Sequence, residues 1–494
     1  MAVRRADVVV LGGGISGLAS AFYLTSPHNT GASNRQEGHK KIVLLEGSPR
    51  IGGWIHSHLT PEGAVHERGT RSIRPAGTVG KNTLDLVSAI GIEDQVVPVT
   101  RSHPATQNRF IYTPGGLHRL PSSLGGLVRR QTPFSQSLAA RLAREPFAPH
   151  CREEDETIHN FFSRRLGREV AEFLADPFCR GIFAGDSREL SMRACFPALF
   201  DAERKYGSII LGSMRSKPEK VPDVGKTRLA QRAAEEKWAS WTLTNGLQTL
   251  PNRLSDWLIQ QGVEVHSSTP CVKVEFGHRD EGDLSRQVAR VTTEDEVWEA
   301  EHVICSTSSQ VTQALLPAEH SHLSDLLSTI TSCAVAVVNL EFDDLRLPVN
   351  GFGYLVPSSV PSKVLGVVFD SCAFPELDRR KDPTTRLTCM MGGAWFNELF
   401  GDPNHSDLDD LLHSALEAIK NQMGINQQPA YAKVNILHDC IPHYKLGHTK
   451  LVDDIQSYIK DHRLPLTLVG ASYRGVSVID CIMQARQAVQ ALDI

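Results

Sequence analysis

The sequence predicts an α/β fold, α+β overall, in which a Rossmann-like dinucleotide-binding domain is combined with a second domain on an antiparallel or mixed sheet. Three observations carry that prediction. The stretch VVVLGGGISGLASAFYL, Val8 to Leu24, runs from four apolar residues through Gly12, Gly13, Gly14 and Gly17 into a second apolar run, the pattern of strand, tight turn and helix. Near the C-terminus, RLPLTLVGASYRGVSVIDCIMQARQAVQAL gives an apolar strand, Leu464 to Val469, then Gly470 and Gly475, then a helix. Between the two ends, alternating runs such as AVAVVNLEF and LGVVFDS suggest an antiparallel sheet.

The glycines have a chemical reading. Only glycine lets the backbone turn sharply at Gly12, approach a pyrophosphate at Gly14 and pack helix on strand at Gly17, while free helical N–H groups face the anion. KIVLLEG supplies a second buried strand, Ile42 to Leu45, ending in Glu46, a natural acceptor for a ribose hydroxyl. Glu46 lies further from the glycines than the roughly 20 residues usual for this unit. The excess is the polar run SPHNTGASNRQEGHK, which reads as an inserted surface loop. After Glu46, GSPRIGGWIHS places Arg50, Gly52, Gly53 and Trp54 at a spacing that a plain nicotinamide dehydrogenase does not need. At the other end, a helix N-terminus near Val476 to Val478 offers positive potential to a flavin pyrimidine ring, where negative charge appears on reduction. The two ends then build one cofactor site; the alternative is a strand and helix that merely complete the sheet.

Composition bounds the rest. A chain of 494 residues exceeds one typical core and suggests two or three domains. A formal charge of −4 with 41% hydrophobic residues describes a folded globular protein with no bias toward nucleic acid. The ten cysteines contain no CxxC pair, so neither a metal site nor a disulfide framework is indicated. No run of 18 apolar residues exists to span a bilayer. MAVRRADVVV leaves no room for a cleavable targeting segment before the first strand, so any organelle address is expected to be internal. No Ser/His/Asp cluster or paired carboxylates stand out, which suits a reaction driven by positioning and cofactor electronics.

LGGGISGLA, GGWIHS, HPATQNRF, CRGIFAGDSRELSMRACFP, VAVVNLEF, GFGYLVPSS, VLGVVFDS and GASYRGVSVIDC each resemble, in order and nearly end to end, segments of the protoporphyrinogen oxidase family. The motifs at the two ends alone indicate only the wider monoamine oxidase and phytoene desaturase superfamily; the middle segments narrow it. The resemblance implies FAD, held by Gly12, Gly13, Gly14, Ile15, Ser16, Gly17, Glu46, Gly47, Arg50, Gly53, Trp54, the turn Gly69, Thr70, Arg71 and Ser72, the backbone at Cys271 and Val272, and Ala471, Val476, Ser477 and Val478. It implies a substrate pocket of Arg109, Gly181, Phe352, Leu355 and Met390. Such a pocket suits a broad apolar macrocycle with two propionates on one edge, which needs apolar walls and one fixed cation. Further implications are oxidation by dioxygen to give hydrogen peroxide, a homodimer, handover of product to ferrochelatase, and peripheral attachment to the mitochondrial inner membrane on its intermembrane-space side.

From Arg101 to Arg152 there are eight arginines, no lysine and one acid, Glu145, a charge of about +7 interleaved with Phe134, Leu138, Leu142 and Phe147. A basic and apolar patch of this kind fits an anionic membrane surface. Ile158, Phe161, Phe162, Leu166, Val170, Phe173 and Leu174 follow at helical spacing, with Asp155 or Thr157 as cap and Pro177 as terminator; the alternative is an ordinary core face beneath solvated arginines. The expected organisation is a flavin domain from 1–100, 246–309 and 455–494, a helical membrane-binding region from 101–210, and a substrate domain from 211–245 and 310–454. SKPEKVPDVGKT, Ser216 to Thr227, reads as a loop rather than a site. Arg68, Thr70, Arg474 and Ile479 depart from the family pattern near the expected cofactor edge, and Lys445 is another unusual charge. Competing readings are another flavin oxidase or desaturase of the superfamily, a non-enzymatic relative resembling Rab GDP-dissociation inhibitor, which is colourless, and a nicotinamide dehydrogenase.

Overall fold

A computed structural model of the chain describes residues 3–25, 40–215, 221–278, 287–378 and 383–492. Most of the inserted run after Thr25, and the start of the Ser216 loop, lie outside the described residues.

The first strand, Val3–Leu11, buries every residue from Val8 to Leu11. It pairs in parallel with Ile42–Leu45 on one side and Val297–Cys305 on the other. Glu264–His266 extends the parallel sheet beyond Ile42–Leu45, and Leu466–Leu468 runs parallel to the end of Val297–Cys305. An antiparallel pair, Cys271–His278 and Gln287–Thr293, completes it. The apolar run Ile42–Leu45 is buried at all four positions because helices cover both faces. Val8 and Val10 face the helices Ile15–Thr25, Thr249–Gln260 and Val478–Gln490, while Val9 and Leu11 face Ser309–Leu315, Ser321–Ser328 and His448–Asp461.

Four elements expected wholly or mostly in the substrate domain pack on this layer instead. Arg228–Glu235 buries Leu229, Ala230 and Ala233 in the nucleotide core, and Trp238–Leu243 buries its two tryptophans there while pairing with Val96–Thr100. Ser309–Leu315 and Ser321–Ser328 cover the opposite face. An amphipathic helix specifies that one face must be covered, not which layer covers it.

The second sheet has the order Tyr431–Pro442, Ser332–Asp343, Thr384–Gly393, Val364–Phe369, Gly353–Leu355, Arg109–Thr113, Gly116–Arg119. It is mixed, since Gly353–Leu355 and Arg109–Thr113 run parallel and the other neighbours antiparallel. Ala336, Val338, Leu340 and Phe342 face a core closed by the helix Leu408–Met423; Val335 and Val337 face the other way. Residues 109–119, expected in the helical region, thus belong to this sheet. They satisfy backbone groups that a three-residue strand at Gly353–Leu355 would otherwise leave unpaired on that edge.

The helical unit follows. Thr157 caps Ile158–Leu166, its Oγ1 accepting from the Asn160 N–H at 3.2 Å, while Asp155 accepts from the Ser191 hydroxyl at 2.6 Å. Pro177 does not end a helix but sits inside the continuous helical run 168–183, directly after the π-turn Ala171–Ala175 that accommodates its missing N–H. The apolar stripe is core: Ile158, Phe161 and Val170 are fully buried, and Phe162, Leu166, Phe173 and Leu174 pack beside them. Phe134 is buried too. Of the apolar residues expected among the arginines Phe147 does reach the surface, as do Leu124, Val128 and Met214. Among the described residues no helix is long and apolar enough to cross a membrane.

Candidate functional site

At the glycine loop the backbone makes the site. Gly12 has φ +98°, and a Cβ on Gly17 would stand 2.0 Å from the Gly12 carbonyl oxygen. Helix and strand therefore touch there as only glycine allows. Gly14 is the opposite case: the nearest atom to an added Cβ is 3.9 Å away, so its face is open to a ligand. Ile15 and Ser16 begin the helix and are buried. Glu46 is held by two amides, its Oε2 accepting from Gly13 N–H at 2.6 Å and Oε1 from Ser48 N–H at 2.8 Å. Gly47 follows, packed near Pro270.

The loop after Glu46 straps onto the glycines, with Gly52 N–H donating to the Gly13 carbonyl at 2.8 Å and a Cβ on Gly53 only 3.2 Å from Gly14 Cα. Arg50 braces that loop: its guanidinium donates to the carbonyls of Ile51, Gly53 and Ile55 and to Gln248. Trp54 is exposed, and its carbonyl lies 2.4 Å from where a Gly69 Cβ would sit, which joins this strap to the turn of Gly69, Thr70, Arg71 and Ser72. Arg71 approaches Asp370 at 3.8 Å, and both terminal nitrogens are buried without a hydrogen bond.

The C-terminal segment closes on the same loop. Gly470, at φ +119°, brings its backbone against Ser16 and Ser306, an added Cβ lying 3.4 Å from Ser16 Oγ. The Tyr444 hydroxyl donates to the Ala471 carbonyl and accepts from Gly475 N–H. Ser477 and Asp480 form a reciprocal capping box at the start of Val478–Gln490. Val476 packs against the helical unit, whereas Ala471 and Val478 pack against the nucleotide core, so these two units meet at this helix N-terminus. Cys271 starts its strand beside a register shift that leaves Val272 half exposed. Arg474 turns outward to Asp453 at 2.6 Å, Ile479 packs on the nucleotide core, and Lys445 pairs with Glu189 at 3.0 Å.

The expected pocket residues converge on one face of the second sheet. Leu355 pairs with Gly366 and Gly366 with Met390, giving a row across three strands. Gly181, on Asp176–Phe183, faces this row so closely that a Cβ would lie 2.7 Å from Leu355 Cδ2. Arg109 pairs with Gly353 and places its guanidinium 5.9 Å from the centre of the Phe352 ring. Arg109 Nε is buried with no acceptor, and burial, then Arg74, lowers the pKa of the guanidinium. The arrangement is an apolar row on one sheet face with a cation near its end, the elements that recognition of a carboxylate on an apolar body requires.

Sequence reasoning missed the polar seam that joins the hairpin Ser57–Leu59 and Val65–Glu67 to the second sheet. Asn339 donates to the Glu67 carbonyl at 3.1 Å and to Thr388 Oγ1 at 3.0 Å, and Thr388 donates to Asp370 at 2.6 Å. Arg386 donates to the Val65 carbonyl at 2.6 Å. Burial pushes the Glu67 carboxyl up to about 7, against hydrogen bonds from Leu247 N–H and the Ser57 hydroxyl. The signal was there: Asn339 is the one amide in the apolar run VAVVNLEF.

Residues 15–493 match the family described as flavin containing amine oxidoreductase. Protoporphyrinogen oxidase of Bos taurus is 45% identical over 97% of this chain and 97% of its own, and that of Homo sapiens is 45% identical with the same coverage. The solved structure of a protein from Exiguobacterium sp. 255-15 superposes with a TM-score of 0.75 at 24% identity over 99% of each chain, a likeness of fold. The chain is a flavoprotein and belongs to the protoporphyrinogen oxidase family within the flavin containing amine oxidoreductases.

Proposed function

We propose that the protein oxidises protoporphyrinogen IX to protoporphyrin IX in heme biosynthesis, with FAD as its cofactor. The relatives' names and the slot support this reading. The chemistry FAD supplies when bound is acceptance of hydride, with dioxygen as terminal oxidant and hydrogen peroxide as product. The chain's own residues position and exclude. The open face at Gly14 and the amides opening the Ile15–Thr25 helix take the pyrophosphate; Glu46 takes the ribose; the free N–H groups at Val478 meet the flavin pyrimidine edge. Phe352, Leu355 and Met390 wall the macrocycle, and Gly181 leaves room for Leu355. Arg109 pairs a propionate, which fixes the methylene bridge against the flavin and keeps water out.

The half-buried Arg109, its Nε buried without an acceptor beside that apolar row, is the observation that carries the reading. Anaerobic mixing of the FAD-loaded protein with protoporphyrinogen IX should bleach the flavin absorbance, and porphyrin fluorescence should rise when air is admitted. Unbleached flavin would overturn it.

The reading extends to peripheral membrane attachment. Leu124 at 83% exposure and Phe147 at 88%, with Val128 and Met214, stand among the exposed Arg129, Arg130 and Arg144. Flotation with cardiolipin liposomes at low salt should carry the protein up, and failure to float at any salt counts against attachment. The mitochondrial inner membrane, its intermembrane-space side, a homodimer and handover to ferrochelatase rest on the family resemblance alone.

A further inference from the structure

A second cationic cluster lies toward the other edge of the second sheet from Arg109. The hairpin Ser57–Leu59 and Val65–Glu67 sets His58 opposite His66, and Arg68 N–H donates to the His56 carbonyl at 2.9 Å. Residues opposite one another in an antiparallel pair share a face. His56, His58, His66 and Arg68 are therefore on one side, and Ser57 and Glu67 on the other. Tyr431 stacks on His58 and His66 at 6.0 and 5.5 Å between ring centres. It belongs to the edge strand Tyr431–Pro442, on which Lys433 and Asn435 follow at alternate positions. Asn435 pairs with Val337, which pairs with Met390, so the cluster shares its sheet face with the slot.

The donors there lack acceptors. Arg68 Nε and Asn435 Nδ2 are buried without a hydrogen-bond partner. Among the described residues no carboxylate comes within 4.0 Å of Arg68 or Lys433. The nearby acids are Glu341, 3.9 Å from His66, and Glu62, which acts on Tyr431; Arg71 and Arg386 add positive charge at His66. A guanidinium Nε and an amide Nδ2 that are buried with nothing to donate to are costly unless a ligand completes them.

We propose that His56, His58, Arg68, Lys433 and Asn435 form a binding site for an oxyanion, either a carboxylate of a tetrapyrrole or a free phosphate. The test uses protein already loaded with FAD, so that a response reports a ligand other than the cofactor. Only the carboxylate source rests on the proposed activity. Burial, then Arg50, Arg68 and His58, holds the His56 imidazole down to about 4, and burial, Arg68 and Lys433 lower His58. A bound oxyanion offsets those cations, so it raises both imidazoles and binds more tightly as pH falls.

The experiment titrates the FAD-loaded protein with inorganic phosphate and, separately, with protoporphyrin and its dimethyl ester, following the His56 and His58 ring signals by NMR. Phosphate, or protoporphyrin but not the ester, should raise the imidazole titration midpoints. Arg68→Leu and Lys433→Met should each weaken that binding about 10-fold or more, with melting curves showing that both variants fold. A response to phosphate identifies a free-anion site, and one to the free acid alone a tetrapyrrole carboxylate. No response to either, or undiminished binding in both variants, overturns the site, while the flavin-bleaching assay reports separately on the proposed activity.

Discussion

In the loop Gly12–Gly17 the groups that meet a ligand are backbone amides, whereas in the slot beside Leu355 they are side chains on a sheet. The loop has almost no freedom. Gly17 stands in van der Waals overlap with any side chain, and Gly13 is tied to Glu46 through its own N–H. The slot is held at one remove, by cross-strand register and by a glycine on a helix from another unit. Backbone recognition thus depends on which residues are missing a side chain, and slot recognition on how distant segments dock.

The largest effect should come from testing the two kinds of glycine in the loop against each other. Gly17→Ala puts a methyl group 2.0 Å from a backbone oxygen, so neither partner can yield cheaply. We expect a loss of about 3 kcal/mol or more and no retained flavin after gel filtration. Gly14→Ala meets open space, so the protein should fold with a melting temperature near that of wild type yet hold FAD more weakly. Equal melting temperatures for the two variants would break the distinction between packing glycine and ligand glycine.

The seam between the hairpin and the second sheet gives the next effect, through pH. The Glu67 carboxyl is raised from 4.5 to about 7 chiefly by burial, so the folded chain holds that proton more tightly than the unfolded chain. Its contribution is complete below about pH 4.5 and is lost as pH rises through 7, amounting to about 3 kcal/mol at the limit. His66, held down to about 3 by burial and then by Arg386, works in the other direction, costing stability as pH falls below 6.5. Glu67→Gln isolates the first term, because the amide keeps an acceptor for Leu247 N–H. Melting temperatures from pH 5.5 to 8.5 should fall more steeply in wild type than in the variant; parallel curves would show that Glu67 is already ionised.

Arg109→Gln tests the slot. Removing the cation from the end of the apolar row should raise KM for protoporphyrinogen IX about 10- to 100-fold, equivalent to about 1.4–2.8 kcal/mol, with kcat changed much less. Steady-state kinetics with the free acid and its dimethyl ester sharpen the point, since the ester should not sense the substitution. A collapse in kcat at unchanged KM would mean that Arg109 serves the flavin and not the propionate.

How much of this could be read from residues alone follows the same division. The strand, turn and helix from Val3 to Thr25 were legible because backbone geometry forces glycine at fixed spacings, and Glu46 was legible because it ends a wholly apolar strand. The second sheet was legible in Ser332–Asp343, whose alternation is long, but not in Arg109–Thr113, five residues whose partner strand lies some 240 positions away. The helical stripe from Ile158 was visible as a stripe, and nothing in its period says whether lipid or protein covers it. Arg109, Leu355 and Met390 come together only through docking, and they were nameable from resemblance and not from pattern. Arg50 shows the converse, a cation in the right stretch of chain whose donors are spent on loop carbonyls.

The smallest effect should come from Arg474, which in the sequence sits at the expected cofactor edge. Position along the chain suggests that an unusual cation there perturbs the flavin. The side chain instead leaves that edge, reaching Asp453 and Gln456 on the neighbouring helix, with both members of the ion pair about half exposed. An exposed pair gains little Coulomb energy in water and loses side-chain entropy, so Arg474→Gln should shift stability by no more than about 0.5 kcal/mol. Because the guanidinium points away, flavin content and the rate of anaerobic bleaching should match wild type. A changed flavin reduction rate in a variant of unaltered melting temperature would show that charge at this position reaches the cofactor through the helix N-terminus at Val478, making the C-terminal segment more than a backbone-built site.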